Sequence, residues 1–182
     1  MAPDSDSAEE AATASPADPA RAYGFGAVAK GSVGGKELAV TSLDDDPKSP
    51  PPGTLRWAVE QGGPRTVRFR IADNIRLQAP LEVREAFLTI DGSNAPGLGI
   101  CLCDHTLRVK DTHDVIVRHI RVRRGDVTVL ERNKRERVKR PNNFSDLDCI
   151  AADDSSNLLF DTLRSPLPLR ALRHARAAVR SQ

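Results

Sequence analysis

Aromatic side chains are scarce in this chain, at 4% of 182 residues with a single Trp and a single Tyr. A core short of aromatics has to be filled by Val, Ile and Leu, which suits stacked sheets or a solenoid. Three cysteines are too few, and odd in number, for a disulfide framework. Cys101 and Cys103 alternate along one predicted strand and Cys149 lies in another, so all three read as small buried hydrophobes. No apolar run approaches the roughly 20 residues that cross a bilayer, which excludes a membrane-spanning helix and gives no membrane partner. The N-terminus lacks a basic stretch followed by an apolar one, so no secretory signal is read there. His113 and His119 have no Cys or second His at metal-ligand spacing, and with His105 they read as structural hydrogen-bonding residues.

Charge is absent in patches rather than overall. Residues 1–20 carry Asp4, Asp6, Glu9, Glu10 and Asp18 but no Lys or Arg, and residues 162–182 carry Arg but no acid. The net charge of +2 is therefore a sum of unlike parts. The first segment, rich in Ala, Ser, Pro and Asp, reads as disordered. Residues 21–161 read as the structured body and 162–182 as a divergent, Arg-rich tail, a loosely attached helix or a disordered end.

The body opens with a Gly-rich stretch from Tyr23 to Gly35 and the apolar run Leu38–Thr41, followed by a loop from Asp44 to Gly53. Thr54 is a plausible N-cap for a short helix to about Gln61, with Leu55, Ala58 and Val59 on one side and Gly62-Gly63-Pro64 ending it. Trp57 reads as part of that cap or the core. Short β-rich runs then follow one another: Val67–Ile71, Ile75–Leu77, Leu81–Val83, Phe87–Ile90, Gly99–Cys103, Leu107–Val109, Val115–Val122, Asp148–Ala151 and Asn157–Phe160. The outline of His113–Arg118 recurs in Ser156–Asp161, and Phe87–Asp91 gives the same beat one step earlier. Repeated short strands between turns are the mark of a solenoid. The expected fold is all-β: an incomplete right-handed parallel β-helix with a short N-terminal capping helix, which would cover the open apolar end and strand edges of the first coil.

Several of these pieces, in this order, resemble the pectate lyase family of polysaccharide lyases. They are Gly24-Phe25-Gly26 with Gly34-Gly35-Lys36, then Pro52-Gly53-Thr54-Leu55-Arg56-Trp57-Ala58-Val59 and Gly63-Pro64-Arg65-Thr66-Val67-Arg68-Phe69. Leu88-Thr89-Ile90-Asp91-Gly92-Ser93 with Ala95-Pro96-Gly97, and the run His113–Asp126, are closer still. The match spans about Tyr23 to Asp161. Within it, Asp146 and Asp148 stand at an i, i+2 spacing, which in extended backbone turns both carboxylates to one side. By the resemblance they fall where the family places calcium-ligating carboxylates. The resemblance implies calcium (Ca2+) as cofactor, acidic polysaccharide (polygalacturonate or pectate) as partner, an extracellular monomer, and β-elimination with an Arg as base. Calcium bridging a uronate carboxylate would acidify the neighbouring proton.

After Asp161 the sequence departs from that pattern, as though read in a shifted frame or from an altered exon end. It lacks the His and the Ser/Trp-containing strand that the family continues with, and its tail arginines match no motif. No catalytic residue is assigned, and the chain reads as truncated and weak or inactive. A second reading is a non-catalytic β-helix module that binds acidic polysaccharide through Arg118, Arg121, Arg123, Arg124 and the basic run Glu131–Arg140. That run otherwise reads as a solvated loop inserted between coils. It lacks the interleaved aromatics of a single-strand nucleic-acid groove, so nucleic acid is not an expected partner. Asp153 and Asp154, like Asn94 and Asn157, read as turn-formers.

Overall fold

The structure, a computed structural model, describes residues 25–123, 148–161 and 163, and the backbone of 176–179. Its elements are strands β1 (Lys36–Val40), helix α1 (Leu55–Glu60), β2 (Arg65–Phe69), β3 (Asp73–Arg76), β4 (Leu81–Val83), β5 (Leu88–Asp91), β6 (Ile100–Cys103), β7 (Leu107–Lys110), β8 (His113–Arg118), β9 (Arg121–Arg123), β10 (Ile150–Asp153), β11 (Ser156–Asp161) and β12 (Arg176–Val179). They form one sheet in the order β1-β2-β5-β8-β11-β12 and two three-stranded sheets, β4-β7-β10 and β3-β6-β9. Every pairing is parallel. The chain visits the three sheets in turn and then returns one rung higher, which is a parallel β-helix.

Alternation along each strand sends every second side chain inward, and the register stacks those side chains in columns. Val67, Ile90, Val117 and Phe160 form one column, and Leu88, Val115 and Leu158 another. Ile75, Leu102 and Val122 line the second sheet. Leu81, Leu107 and Ile150 line the third, beside Val83, Val109 and Ala152. All are buried. Each large aliphatic side chain in such a stack contributes about 1.5–3 kcal/mol of hydrophobic free energy, so the core forms with little aromatic content.

The repeat read from the sequence is the register itself: Ser156 pairs with His113 and Leu158 with Val115, while Leu88 pairs with Val115 one coil earlier. Corners fall where Asp and Asn tolerate a left-handed backbone. Asp111 (φ 52°) and Asp154 (φ 44°) make equivalent turns, followed by Asp114 (φ 56°) and Asn157 (φ 53°). Asn157, between the paired residues Ser156–His113 and Leu158–Val115, stands beside Asp114 of the neighbouring coil as well as in a turn.

Helix α1 is capped by Thr54, whose side chain accepts from the Trp57 amide, and it buries Leu55, Ala58 and Val59 against β1, β2 and β4. Trp57 packs half-buried on the core. The Asp44–Gly53 loop reaches inward at one point. Asp45 is buried and holds Arg56 through two hydrogen bonds, Nε–Oδ1 2.7 Å and Nη2–Oδ2 2.8 Å. The Gln78 amide donates to the same carboxylate, and Arg56 donates further to the carbonyls of Ala79 and Pro80. Arg65, fully buried, donates to the carbonyls of Ala58, Val59, Gly63 and Ala86. Its guanidinium thus closes the C-terminal end of α1, where carbonyls lack helical partners.

Two expectations are corrected. The run Val115–Val122 is two strands, β8 and β9, because His119 adopts φ 55° and turns the chain out of the first sheet. The tail is not all loose helix or disordered end: Arg176–Val179 is a strand that pairs in parallel with β11, adding a further rung. Segment 1–20 lies outside the described residues.

Candidate functional site

The outward rows of the three sheets differ in what covers them. On the six-stranded sheet, Arg68, Asp91, Arg118 and Asp161 stand in register on successive strands. Asp91 is fully buried and accepts from Arg68 at 3.1 Å and Arg118 at 2.8 Å through one oxygen, Oδ2. Burial pushes the Asp91 carboxyl up, but hydrogen bonds from Ser93 and the Arg118 guanidinium outweigh it and hold the group below its ordinary 3.8. Alternating signs along the row make the burial of charge tolerable. Beside it, the Gly-rich N-terminal segment straps across Thr66, Thr89 and Ile116. The Ser32 amide donates to Thr89 Oγ1 at 3.0 Å, and the Lys30 amide to Asp114 Oδ1 at 2.9 Å. This face is closed. Arg118, expected among the polysaccharide-binding arginines, is committed to it, 9% exposed.

The β3-β6-β9 sheet presents a different outward face. Asn74, Cys101 and Arg121 form one row, and Arg76, Cys103 and Arg123 the next. Asn74, Arg76 and Arg123 are exposed, and Arg121 and Cys103 half-buried. Arg76 pairs with Asp104 at 3.2 Å, and Arg121 donates to the Gly99 carbonyl at 3.2 Å. Strands lie about 4.8 Å apart and i, i+2 residues about 6.7 Å apart, so the three guanidinium stems rise from a small, flat patch. At one end of it the loop after β5 and the turn at His119 enclose a cleft of about 280 Å³, lined by Ser93, Leu98, His119 and Arg121 among others. Gly92 is required there because an added Cβ would lie 2.3 Å from the His119 carbonyl oxygen.

This face leads directly into the segment that carries the remaining predicted residues. Strand β9 ends at Arg123, and the chain is next described at Asp148, just before β10. Arg124, the basic run Glu131–Arg140 and Asp146 lie outside the described residues. Asp148 is half-buried, and its backbone carbonyl accepts from Thr106 Oγ1 at 2.8 Å. Calcium takes six to eight oxygen ligands, whereas no group of three or more His, Cys, Asp or Glu that could hold a metal ion occurs among the described residues. Of the two carboxylates read as calcium ligands, Asp148 alone is among the described residues.

The remaining sequence candidates fall as follows. His113, exposed at the start of β8, meets Asp114 Oδ2 through Nδ1 at 2.8 Å and stands edge-on to Phe87 with ring centroids 5.0 Å apart. That is the structural role expected of it. His119 is a turn residue rather than a strand residue. Asp153 closes strand β10 and faces Arg108 at 3.8 Å, whereas Asp154 makes the turn. Cys101 and Cys149 are buried, as read, but Cys103 is half-buried on an outward row, and its thiol is pushed up to about 11 by burial and by the neighbouring Cys101. Sequence reasoning missed Arg76. Its signal was the shared outward-inward-outward pattern of Asn74-Ile75-Arg76, Cys101-Leu102-Cys103 and Arg121-Val122-Arg123.

Fold and face together define a parallel β-helix with one open, cationic side. No family model matches the chain. Over 74 residues it is 39% identical to pectate lyase 1 of Cryptomeria japonica, covering 41% of this chain and 20% of that protein. Over 140 residues it is 32% identical to the probable pectate lyase C of Aspergillus flavus, covering 77% of this chain and 28% of that protein. Its structure resembles the crystal structure of jun a 1, the major allergen from cedar pollen, with a TM-score of 0.57 and 25% identity over 78% of this chain and 45% of that one. The chain thus resembles the pectate lyase family over a segment, and it spans 20% and 28% of the length of these two curated relatives.

Proposed function

We propose that this protein acts on acidic polysaccharide of the polygalacturonate type, with the outward face of the β3-β6-β9 sheet as the polymer-binding surface. The observation that carries the reading is the placing of Arg76 on β3 and of Arg121 and Arg123 on β9, the two outer strands of one open three-stranded face, in a chain that resembles pectate lyases. A polymer with a carboxylate on each sugar engages such a face through several weak, exposed ion pairs, each contributing about 0.2–1 kcal/mol. Their sum is salt-sensitive, because the Debye length at physiological ionic strength is about 8 Å. Arg121, held by the Gly99 carbonyl, is the most fixed of the three and orients a carboxylate toward the cleft beside Ser93 and His119.

Calcium-dependent β-elimination, carried out outside the cell, is the activity proposed for the complete protein. Its calcium-binding part rests on Asp146 and Asp148, on their spacing and on the likeness to pectate lyases. The test is ultraviolet absorbance of the unsaturated uronide released from polygalacturonate, followed while calcium is titrated, alongside electrophoretic retardation in a polygalacturonate gel. Retardation with calcium-dependent absorbance is the expected result. Retardation without absorbance at any calcium level would leave the chain a non-catalytic binding module. Neither retardation nor absorbance would overturn the reading.

A further inference from the structure

We propose that the cleft between the loop after β5 and the His119 turn is a seat for one hexuronate unit, holding both its carboxylate and its ring. The proposal rests on the polygalacturonate reading and refines it. The cleft is preformed. In the loop, the Ala95 amide donates to the Gly92 carbonyl at 3.1 Å and the Gly99 amide to the Pro96 carbonyl at 3.0 Å. Gly97 (φ 55°) and Gly99 (φ 76°) take the left-handed backbone that these turns require. The Gly99 carbonyl in turn accepts from the Asp73 amide and from Arg121, each at 3.2 Å, which ties the loop to β3 and β9. The volume of about 280 Å³ lies just under the roughly 300 Å³ at which typical small-molecule sites begin. That is room for a sugar unit rather than for a stretch of polymer.

Its walls differ in the way that a sugar acid does. Ala95 and Leu98 line one side, and Leu98 is 88% exposed. A pyranose has a C–H face that suits such a side chain, and covering it removes apolar area from water. Arg121 also lines the cleft. One of its nitrogens is held by Gly99, while the planar fork keeps further donors for a carboxylate. Ser93 and His119, both exposed, offer donors and acceptors to ring hydroxyls. The carboxylate just before Ser93 does not oppose a uronate, because Asp91 is buried and neutralised by Arg68 and Arg118. Arg76 and Arg123 stand in the next row, outside the cleft lining. They add charge for a polymer but no contact to a single unit seated in the cleft.

The test uses the full chain with D-galacturonate, D-galactose and acetate as probes, followed by saturation-transfer NMR and calorimetric titration. A ligand of this size at ordinary efficiency binds with a Kd of about 1 mM, the value expected for D-galacturonate. D-Galactose, which lacks the carboxylate, and acetate, which lacks the ring, should each bind about tenfold more weakly. Leu98→Ser, at an exposed loop position, should weaken D-galacturonate about fivefold with the melting temperature unchanged. Arg76→Gln/Arg123→Gln should leave D-galacturonate binding as it is while reducing retardation in a polygalacturonate gel. Absent D-galacturonate binding, acetate as tight as D-galacturonate, or no effect of Leu98→Ser would overturn the seat, and polymer retardation retained in the same preparation would leave the polygalacturonate reading standing. Absence of both D-galacturonate binding and polymer retardation would overturn the two together.

Discussion

Arg65 donates its hydrogen bonds to four backbone carbonyls, and burial lowers its affinity for a proton more than the charge of Glu85 raises it. Its removal strands carbonyls from α1 and from the loops on either side, and each stranded buried acceptor costs about 1–3 kcal/mol. Arg65→Met is therefore expected to lower the free energy of unfolding by about 3–5 kcal/mol, read from urea denaturation. Asp45 and Arg56 present the complementary case, a buried pair with its other hydrogen bonds satisfied. Loss of one partner leaves an uncompensated charge at a cost of about 3–5 kcal/mol. Asp45→Asn is accordingly expected to destabilise more than a joint replacement of both residues by apolar ones of similar size. Asp91 carries a pH signature. A carboxyl held below its ordinary value contributes stability that is complete above 3.8 and is lost as pH falls through the lower folded-state value. Unfolding free energy is expected to decline across that acidic window, and Asp91→Asn to flatten the decline while lowering stability at neutral pH.

Strands and turns were legible because most inward positions are aliphatic and many corners carry Asp, Asn or Gly. The repeat of His113–Arg118 in Ser156–Asp161 translated directly into strand register. The division of Val115–Val122 was hidden because nothing in Val-Arg-His-Ile-Arg-Val breaks a strand by composition. The turn is imposed by the sheet-to-sheet change of direction and by the packing of Gly92 under the His119 carbonyl. Gly92→Ala is expected to push that turn apart, costing about 1–3 kcal/mol and opening the cleft. Loss of polygalacturonate retardation larger than the stability change explains would show the cleft in use. The buried roles of Asp45 and Arg118 were equally invisible, because a surface charge and a satisfied buried one look alike in sequence. Only the partner, Arg56 in one case and Asp91 in the other, distinguishes them.

At the scale of the molecule, the coil sorts its charges. One flank is sealed by the N-terminal strap and the Arg68–Asp91–Arg118–Asp161 row, and another keeps Arg76, Arg121 and Arg123 in the open. The second flank ends at Arg123, whereas Arg118, read from the sequence among the polymer-binding arginines, is bonded to Asp91 on the sealed flank. The most direct measurement is calorimetric titration of polygalacturonate into the wild-type chain, Arg121→Gln/Arg123→Gln and Arg118→Gln, at low and physiological salt. The account predicts about tenfold weaker binding for the double variant, most of the difference vanishing at the higher salt. Arg118→Gln should lose stability but keep affinity wherever it remains folded. Equal affinity of the double variant and the wild type at low salt would contradict it.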